Sequence, residues 1–125
     1  MKGSSKEKLY FSDNKVKSLI QLHKMTKLEI LHCSSNKITS LNGLQHCYKL
    51  REFIISANKL ESITGIDKCK LLIEFDCSIN NIYSLVCLSN PQLKTLNCSN
   101  NRLNSLNGVK NCYQLEEISS ASNKI

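Results

Sequence analysis

Apolar residues recur along this chain in a fixed frame that repeats about every 22 residues. The frame reads L-x-x-L-x-L-x-x-N-x-L-x-x-L-x-x-L, where L stands for any apolar residue and one asparagine marks each copy. The asparagines lie 22 residues apart, or 21 in one interval, at Asn14, Asn36, Asn58, Asn80, Asn101 and Asn123. Self-similarity at such a period predicts a solenoid of stacked coils.

The second copy shows the frame clearly, and the other copies follow it in register. Its apolar positions are Leu28, Leu31, Cys33, Ile38, Leu41 and Leu44. The first copy begins with Lys6 where an apolar residue is expected, and the sixth stops halfway at Ile125. We call the copies coils 1 to 6, which begin at residues 6, 28, 50, 72, 93 and 115. Residues 1–125 are predicted to form one domain, either whole or a fragment of a longer solenoid.

Within each coil, the fourth and sixth frame positions are apolar while their neighbours vary, a period-two pattern typical of a short strand. The strands are expected to pair in parallel, one from each coil. Because 22 residues leave little room for a full α-helix opposite the strand, 3₁₀ turns or irregular chain are expected there. The prediction is an α/β solenoid with one parallel sheet.

The recurring asparagine falls at the turn where each coil bends out of the predicted sheet. A primary amide offers both donors and an acceptor, so a stacked row of asparagines satisfies backbone groups at these turns. We call this row of six the Asn ladder and predict a structural role for it. A serine and, in three coils, a glycine also recur on the far side, at Ser18, Ser40, Ser62, Ser84, Ser105, Gly43, Gly65 and Gly108.

These frames resemble the 22-residue leucine-rich repeat class over residues 6–125. The class includes a regulatory subunit of type-1 protein phosphatase, an axonemal dynein light chain and the bacterial internalins. The resemblance implies a right-handed leucine-rich repeat solenoid whose concave strand face binds proteins. It indicates a protein-binding scaffold, such as a regulatory or targeting subunit, but it does not indicate the partner, because the shared residues are structural.

The third and fifth frame positions point away from the core and form the concave face. The face is basic and aromatic at first, apolar in the middle and then acidic. Apolar anchors beside polar groups are typical of protein interfaces. The predicted protein-binding residues are Tyr10, Ile30, His32, Glu52, Ile54, Glu74, Asp76, Thr95, Asn97 and Glu117. Lys8 and Ser119 complete the set.

Positive charge suggests an alternative function, since the formal net charge is +7. A basic row, interrupted once by asparagine, follows the Asn ladder at Lys15, Lys37, Lys59, Asn81, Arg102 and Lys124. Such a row can follow phosphates, so the alternative is a basic edge that binds nucleic acid or an anionic surface. A nucleic-acid partner is disfavoured, because the row has no interleaved aromatic residues for base stacking and lysine is common in solvated turns.

The cysteines and the first residues indicate a cellular compartment. Seven cysteines, an odd number without C-x-x-C pairs, favour buried reduced thiols over a disulfide framework or a zinc site. The first 16 residues lack the apolar core of a secretory signal, and no stretch has the ~18 apolar residues of a membrane span. The expected location is the cytoplasm, or the nucleus, without membrane attachment.

Catalytic chemistry is not expected. His23, His32 and His46 occupy different frame positions, so no metal site is predicted. Glu74 and Asp76 form a carboxylate pair, but no nucleophile, G-x-S-x-G motif or phosphate-binding loop accompanies them. The predicted function is a protein–protein interaction scaffold without a cofactor. A structural segment of a longer repeat protein is a further alternative.

Overall fold

The computed structural model describes residues 7–125 and contains six short strands, one in each coil. They are β1 (Glu7–Tyr10), β2 (Leu28–His32), β3 (Glu52–Ile54), β4 (Glu74–Asp76), β5 (Thr95–Asn97) and β6 (Glu117–Ser119). Lys6, the first frame position of coil 1, and residues 1–5 lie outside the described residues. The prediction of one strand per coil is confirmed.

The six strands form a single sheet in chain order, and each strand pairs in parallel with the next. The register repeats from coil to coil, since Phe53 pairs with Leu31 of β2 and with Phe75 of β4. These residues share the fourth frame position, and their side chains are buried. The predicted parallel solenoid with a 22-residue coil is confirmed.

The apolar frame positions form one continuous core along the coils. Its largest side chains, Phe53 and Phe75, stack with 5.5 Å between ring centroids and 14° between ring planes. Burial of each aliphatic side chain contributes roughly 1.5 to 3 kcal/mol. Because one coil cannot cover its own apolar face, this stabilisation depends on contact between neighbouring coils.

The convex side consists of turns and 3₁₀ helices, as the short coil requires. The helices are Ile20–Lys24, Ile66–Lys68 and Val109–Asn111. The recurring serine begins this side: the Ser40 Oγ accepts a hydrogen bond from the Asn42 backbone N–H at 3.2 Å. The same contact is present in coils 1, 3, 4 and 5. The serine thus stabilises the turn that leads onto the convex side.

Glycine follows this serine where neighbouring coils approach each other. A Cβ atom at Gly43 would lie 2.0 Å from the carbonyl oxygen of Leu19 in the preceding coil, and φ there is 122°. At Gly65, where φ is 104°, no atom of another part of the described chain lies within 4 Å of the Cβ position. Backbone conformation favours glycine at both positions, and close contact requires it at Gly43.

The Asn ladder joins each coil to the coil before it. The Asn58 Oδ1 accepts a hydrogen bond from the Ile38 backbone N–H at 3.0 Å. Its Nδ2 donates to the Cys33 carbonyl of the preceding coil at 3.1 Å, and to two carbonyls of its own coil. Asn14, in the first coil, donates only to carbonyls of its own coil. The full set of contacts recurs at Asn36, Asn80, Asn101 and Asn123.

Coil 4 is one residue shorter than coils 1, 2, 3 and 5. An asparagine outside the Asn ladder, Asn90, joins the end of this coil to the preceding one. Asn90 is fully buried, and its Nδ2 donates to the carbonyls of Ile66 and Cys69 of the preceding coil, both at 2.9 Å. In coil 2, the Cys47 thiol donates to the equivalent Leu22 carbonyl at 3.8 Å. The Asn90 amide thus takes the place of the Cys47 thiol as donor, and in coil 5 the Asn111 Nδ2 donates to the equivalent Leu88 carbonyl at 3.2 Å.

Candidate functional site

Twelve side chains line the concave face of the sheet, at the third and fifth frame positions. The first row contains Lys8, Ile30, Glu52, Glu74, Thr95 and Glu117, and the second contains Tyr10, His32, Ile54, Asp76, Asn97 and Ser119. All twelve are exposed or half-buried. The structure therefore brings the ten predicted protein-binding residues onto one accessible face, and their binding of a partner stays a prediction.

Aromatic and apolar side chains dominate the concave face over β1 to β3. The rings of Tyr10 and His32 meet edge to face, with 4.9 Å between centroids. The His32 Nε2 lies 2.5 Å from the Glu52 Oε2, a hydrogen bond that crosses from β2 to β3. These contacts link three polar side chains to one another beside the half-buried Ile30 and Ile54, which reduces the side-chain freedom that a partner would have to restrict.

Acidic side chains dominate the face over β4 to β6. Partial burial raises the pKa of the Glu74 carboxyl above its ordinary value, and Glu52 and Asp76 raise it further, whereas His32 lowers it. The Asp76 Oδ1 accepts hydrogen bonds from the Ser78 backbone N–H at 3.0 Å and from the Ser78 hydroxyl at 2.6 Å. Asp76 is thereby held in one orientation.

These acids have no cationic partner within the described chain. Among residues 7–125, no Lys, Arg or His nitrogen lies within 4.0 Å of a carboxylate oxygen of Glu74, Asp76 or Glu117. The ion pairs there join His32 to Glu52 and Arg51 to Glu29, the latter at 4.0 Å. Ion pairs within residues 7–125 therefore do not account for the acidic half of the face.

A hollow of about 300 Å³ lies in the acidic half of the concave face, across β4 to β6. Its volume is at the lower limit of small-molecule sites. Its floor is Phe75 and Leu96, and its walls are Glu74, Asp76, Thr95, Asn97, Glu117 and Ser119. The hollow has room for side chains of a partner and places carboxylate and amide oxygens around them.

Both edges of the solenoid are basic. The row beside the Asn ladder is exposed at each Lys and Arg, and Asn81 is half-buried. On the opposite edge, the loops before the strands carry exposed Lys49 and Lys70, and also Tyr48 and Tyr113, which are 52% and 81% exposed. The frame did not single out these tyrosines, because they occupy variable positions outside the strands.

Coil 4 also carries exposed apolar side chains outside the concave face, which the sequence reasoning missed. Ile79, Tyr83 and Val86 are 54%, 60% and 62% exposed. Ile79 has a left-handed backbone, with φ of 54°, as do the residues before the other ladder asparagines. Those other residues are Asp, Ser, Ala and Asn, and a β-branched side chain at positive φ is unusual.

The buried cysteines are poorly suited to nucleophilic chemistry. All seven lie within residues 7–125 as free thiols, and six of them are buried, while Cys87 is half-buried. Burial raises the pKa of the Cys33 and Cys69 thiols to about 12 and that of Cys98 to about 11. Thiolates are therefore scarce at these buried positions near neutral pH. Within the described residues, no three metal-binding side chains come together.

The frame, the solenoid and a family match agree on the class of this protein. The model for leucine-rich repeats, in two copies, matches residues 7–46. Residues 7–46 thus match leucine-rich repeats, and the chain as a whole has the fold of a leucine-rich repeat solenoid.

Among solved structures, the chain is similar to internalins of the bacterium Listeria monocytogenes. It matches internalin InlF with a TM-score of 0.90 and 27% sequence identity, over 96% of this chain and 36% of InlF. It matches the functional domain of InlJ, which includes a cysteine ladder, with a TM-score of 0.64 and 26% identity, over 92% of this chain and 30% of that one. Internalin C2 matches with a TM-score of 0.72 over 95% of this chain and 63% of that one, and its 20% identity supports the fold alone.

This chain therefore spans about a third of InlF and InlJ and less than two thirds of internalin C2. Comparison with curated proteins gives no match. No helix within residues 7–125 has the length and apolar character that crossing a membrane requires.

Proposed function

We propose that this chain is a protein-interaction module whose concave face binds a protein partner. The observation that carries the proposal is the composition of that face: half-buried Ile30 and Ile54 share it with Glu74, Asp76 and Glu117, which have no cationic partner among residues 7–125. Interfaces combine apolar anchors with polar groups in this way. Since the face has neither a metal cluster nor an activated thiol in the described residues, we propose binding without catalysis.

Affinity capture from a lysate tests the concave face. Ile54→Arg adds charge at the centre of the face, and Glu74→Lys with Asp76→Lys reverses its acidic part. Thr39→Arg is the control, because Thr39 is exposed and lies outside the strands. Partners recovered by the wild type and by Thr39→Arg should be lost with both face variants, while circular dichroism shows that all variants fold. Equal recovery by the face variants would overturn the proposal.

A finer form of the proposal makes the chain a regulatory or targeting subunit, such as that of a protein phosphatase, in the cytoplasm or nucleus. It rests on the resemblance to the phosphatase regulatory subunit. Mass spectrometry of the captured proteins tests it, and a fluorescent fusion tests the location. A set of face-dependent partners without a phosphatase catalytic subunit would contradict the phosphatase role and leave the binding module intact.

The alternative function is binding of nucleic acid or an anionic surface by the basic edges. The exposed Lys and Arg of both edges favour it, and Tyr48 and Tyr113 add aromatic surface to one of them. Affinity for generic duplex DNA, measured over a range of salt concentrations, tests it. Steep weakening with salt supports this function, whereas a flat dependence, or no binding at low salt, removes it.

A further inference from the structure

Charge is divided sharply between the concave face and the rest of the molecule. Over β3 to β6 the face carries four acids, Glu52, Glu74, Asp76 and Glu117, and no Lys, Arg or His. The chain as a whole has 17 bases and 10 acids, so the remainder has 17 bases and 6 acids. We call these four acidic side chains, Glu52, Glu74, Asp76 and Glu117, the acidic floor. The rest of the molecule is basic.

The acidic floor has the dimensions of one extended peptide segment. Neighbouring strands lie about 4.8 Å apart, so Glu52 of β3 and Glu117 of β6 are separated by roughly 14 Å across the strands. An extended chain advances about 3.3 Å per residue, with alternate side chains on one side, so about five residues cover that distance. Three alternate cationic side chains of such a segment can each meet a carboxylate of the floor.

The other half of the face gives the segment a direction. Tyr10, Ile30 and Ile54 lie over β1 to β3, so the apolar contacts of the face are at one end of the acidic floor, where β3 carries both Ile54 and Glu52. The six strands together extend roughly 24 Å, which an extended segment of about eight residues covers. The strands are only three to five residues long, so the face has the width of a single chain.

We infer that the concave face binds an extended basic segment of a protein partner, with Lys or Arg side chains over β3 to β6 and an apolar side chain over β1 to β3. The inference rests on the proposed function and names the chemistry of its partner. Charge complementarity favours this occupant, because the four carboxylates, which have no Lys or Arg partner among residues 7–125, repel an acidic peptide or a nucleic-acid backbone. The basic edges of the solenoid repel any wider basic surface of a partner. The basic group that reaches the acidic floor must therefore be a narrow segment.

A library of random twelve-residue peptides displayed on phage tests the inference. The floor variant is Glu74→Lys with Glu117→Lys. The control is Glu7→Lys with Glu61→Lys, which changes the net charge equally at exposed positions outside the concave face. Wild type should enrich peptides with Lys or Arg at alternate positions. Synthetic copies should bind the floor variant at least tenfold more weakly than wild type and bind the control equally well, with affinity falling as salt rises.

Each other result would contradict a defined part of the inference. Enriched peptides without Lys or Arg that are lost with Ile54→Arg would overturn the partner chemistry and leave the binding face in place. Peptides that bind both variants and Ile54→Arg unchanged would overturn the face as well. Absence of enrichment would overturn the extended segment, and affinity capture would decide the proposed function separately. Self-association of the wild type that the floor variant abolishes would make a second copy the occupant.

Discussion

A ladder asparagine satisfies backbone groups in two coils at once. The Asn58 side chain is 8% exposed and has one acceptor contact and three donor contacts, all with backbone atoms. Removal of the Asn58 side chain leaves the buried Ile38 N–H without a partner and takes one donor from each carbonyl, and an unpaired buried group costs more than the bond itself contributes. Asn14 has the same sequence context, but it is exposed and contacts only its own coil.

We expect Asn58→Ala to lower the free energy of unfolding by about 1 to 3 kcal/mol, because it leaves the Ile38 N–H and the Cys33 carbonyl without this partner. Asn14→Ala is the matched control and should cost no more than about 0.5 kcal/mol, the usual range for surface changes. Urea unfolding followed by circular dichroism measures both. Equal losses for the two variants would contradict the two-coil role of the ladder.

At the scale of the coil, contact between neighbours decides which repeated residues can change. Gly43 and Gly65 occupy the same frame position, and both have positive φ. A Cβ atom would meet the backbone of the preceding coil at Gly43, as it would at Gly108, but not at Gly65. The frame shows equivalent glycines, whereas the structure distinguishes them by the space around them.

We expect Gly65→Ala to destabilise the fold by about 1 to 2 kcal/mol, the cost of a left-handed alanine. Gly43→Ala should cost at least about 3 kcal/mol, because the methyl group displaces the Leu19 backbone as well. Thermal unfolding of the two variants provides the comparison. Similar losses of stability would show that close packing between coils 1 and 2 is not limiting.

The periodic elements could be predicted from the sequence, and the exceptions could not. Strands, parallel pairing and the ladder turn follow from residues that recur in every coil, such as Asn58. The buried Asn90 occurs once, and its donor role depends on carbonyls of coil 3 that only the folded chain brings near. The concave rows were predictable because alternation fixes which side chains face out. The link from Tyr10 through His32 to Glu52 depends on side-chain orientation, which the frame does not specify.

At the scale of the whole molecule, the concave face departs from what stability alone favours. Glu74 of β4 lies near Glu52 of β3 and Asp76 of its own strand, with His32 of β2 as the opposing charge and neutral Thr95 paired with it on β5. The raised pKa of Glu74 means that the folded chain holds this proton more tightly than the unfolded chain does. The stabilising effect of this bound proton is fully present below the pKa that Glu74 has in the unfolded chain. It is lost as pH rises through the pKa of Glu74 in the folded chain.

We therefore expect Glu74→Gln to stabilise the protein at neutral pH, by less than about 1 kcal/mol because the side chain is largely exposed. The gain should disappear below the unfolded glutamate pKa of about 4.3, where the wild-type carboxyl is protonated in both states. Thermal midpoints measured against pH report this, with Glu61→Gln on the convex side as the control. A gain that does not change with pH would rule out this cause.

Glu74→Gln should also weaken binding of a basic segment. The variant therefore separates the effect of this carboxylate on stability from its effect on binding. A group that lowers stability but strengthens recognition is common at functional surfaces.

The ladder contacts also bear on how such a chain can change in length over generations. Each ladder side chain reaches only its own coil and the one before it, so duplication or loss of 22 codons leaves every remaining contact with a neighbour of the same kind. A single-codon change within a coil has to be absorbed locally, as at the shortened coil 4 with Asn90. Inheritance can therefore lengthen or shorten this molecule by whole coils while the sequence of each coil is selected separately.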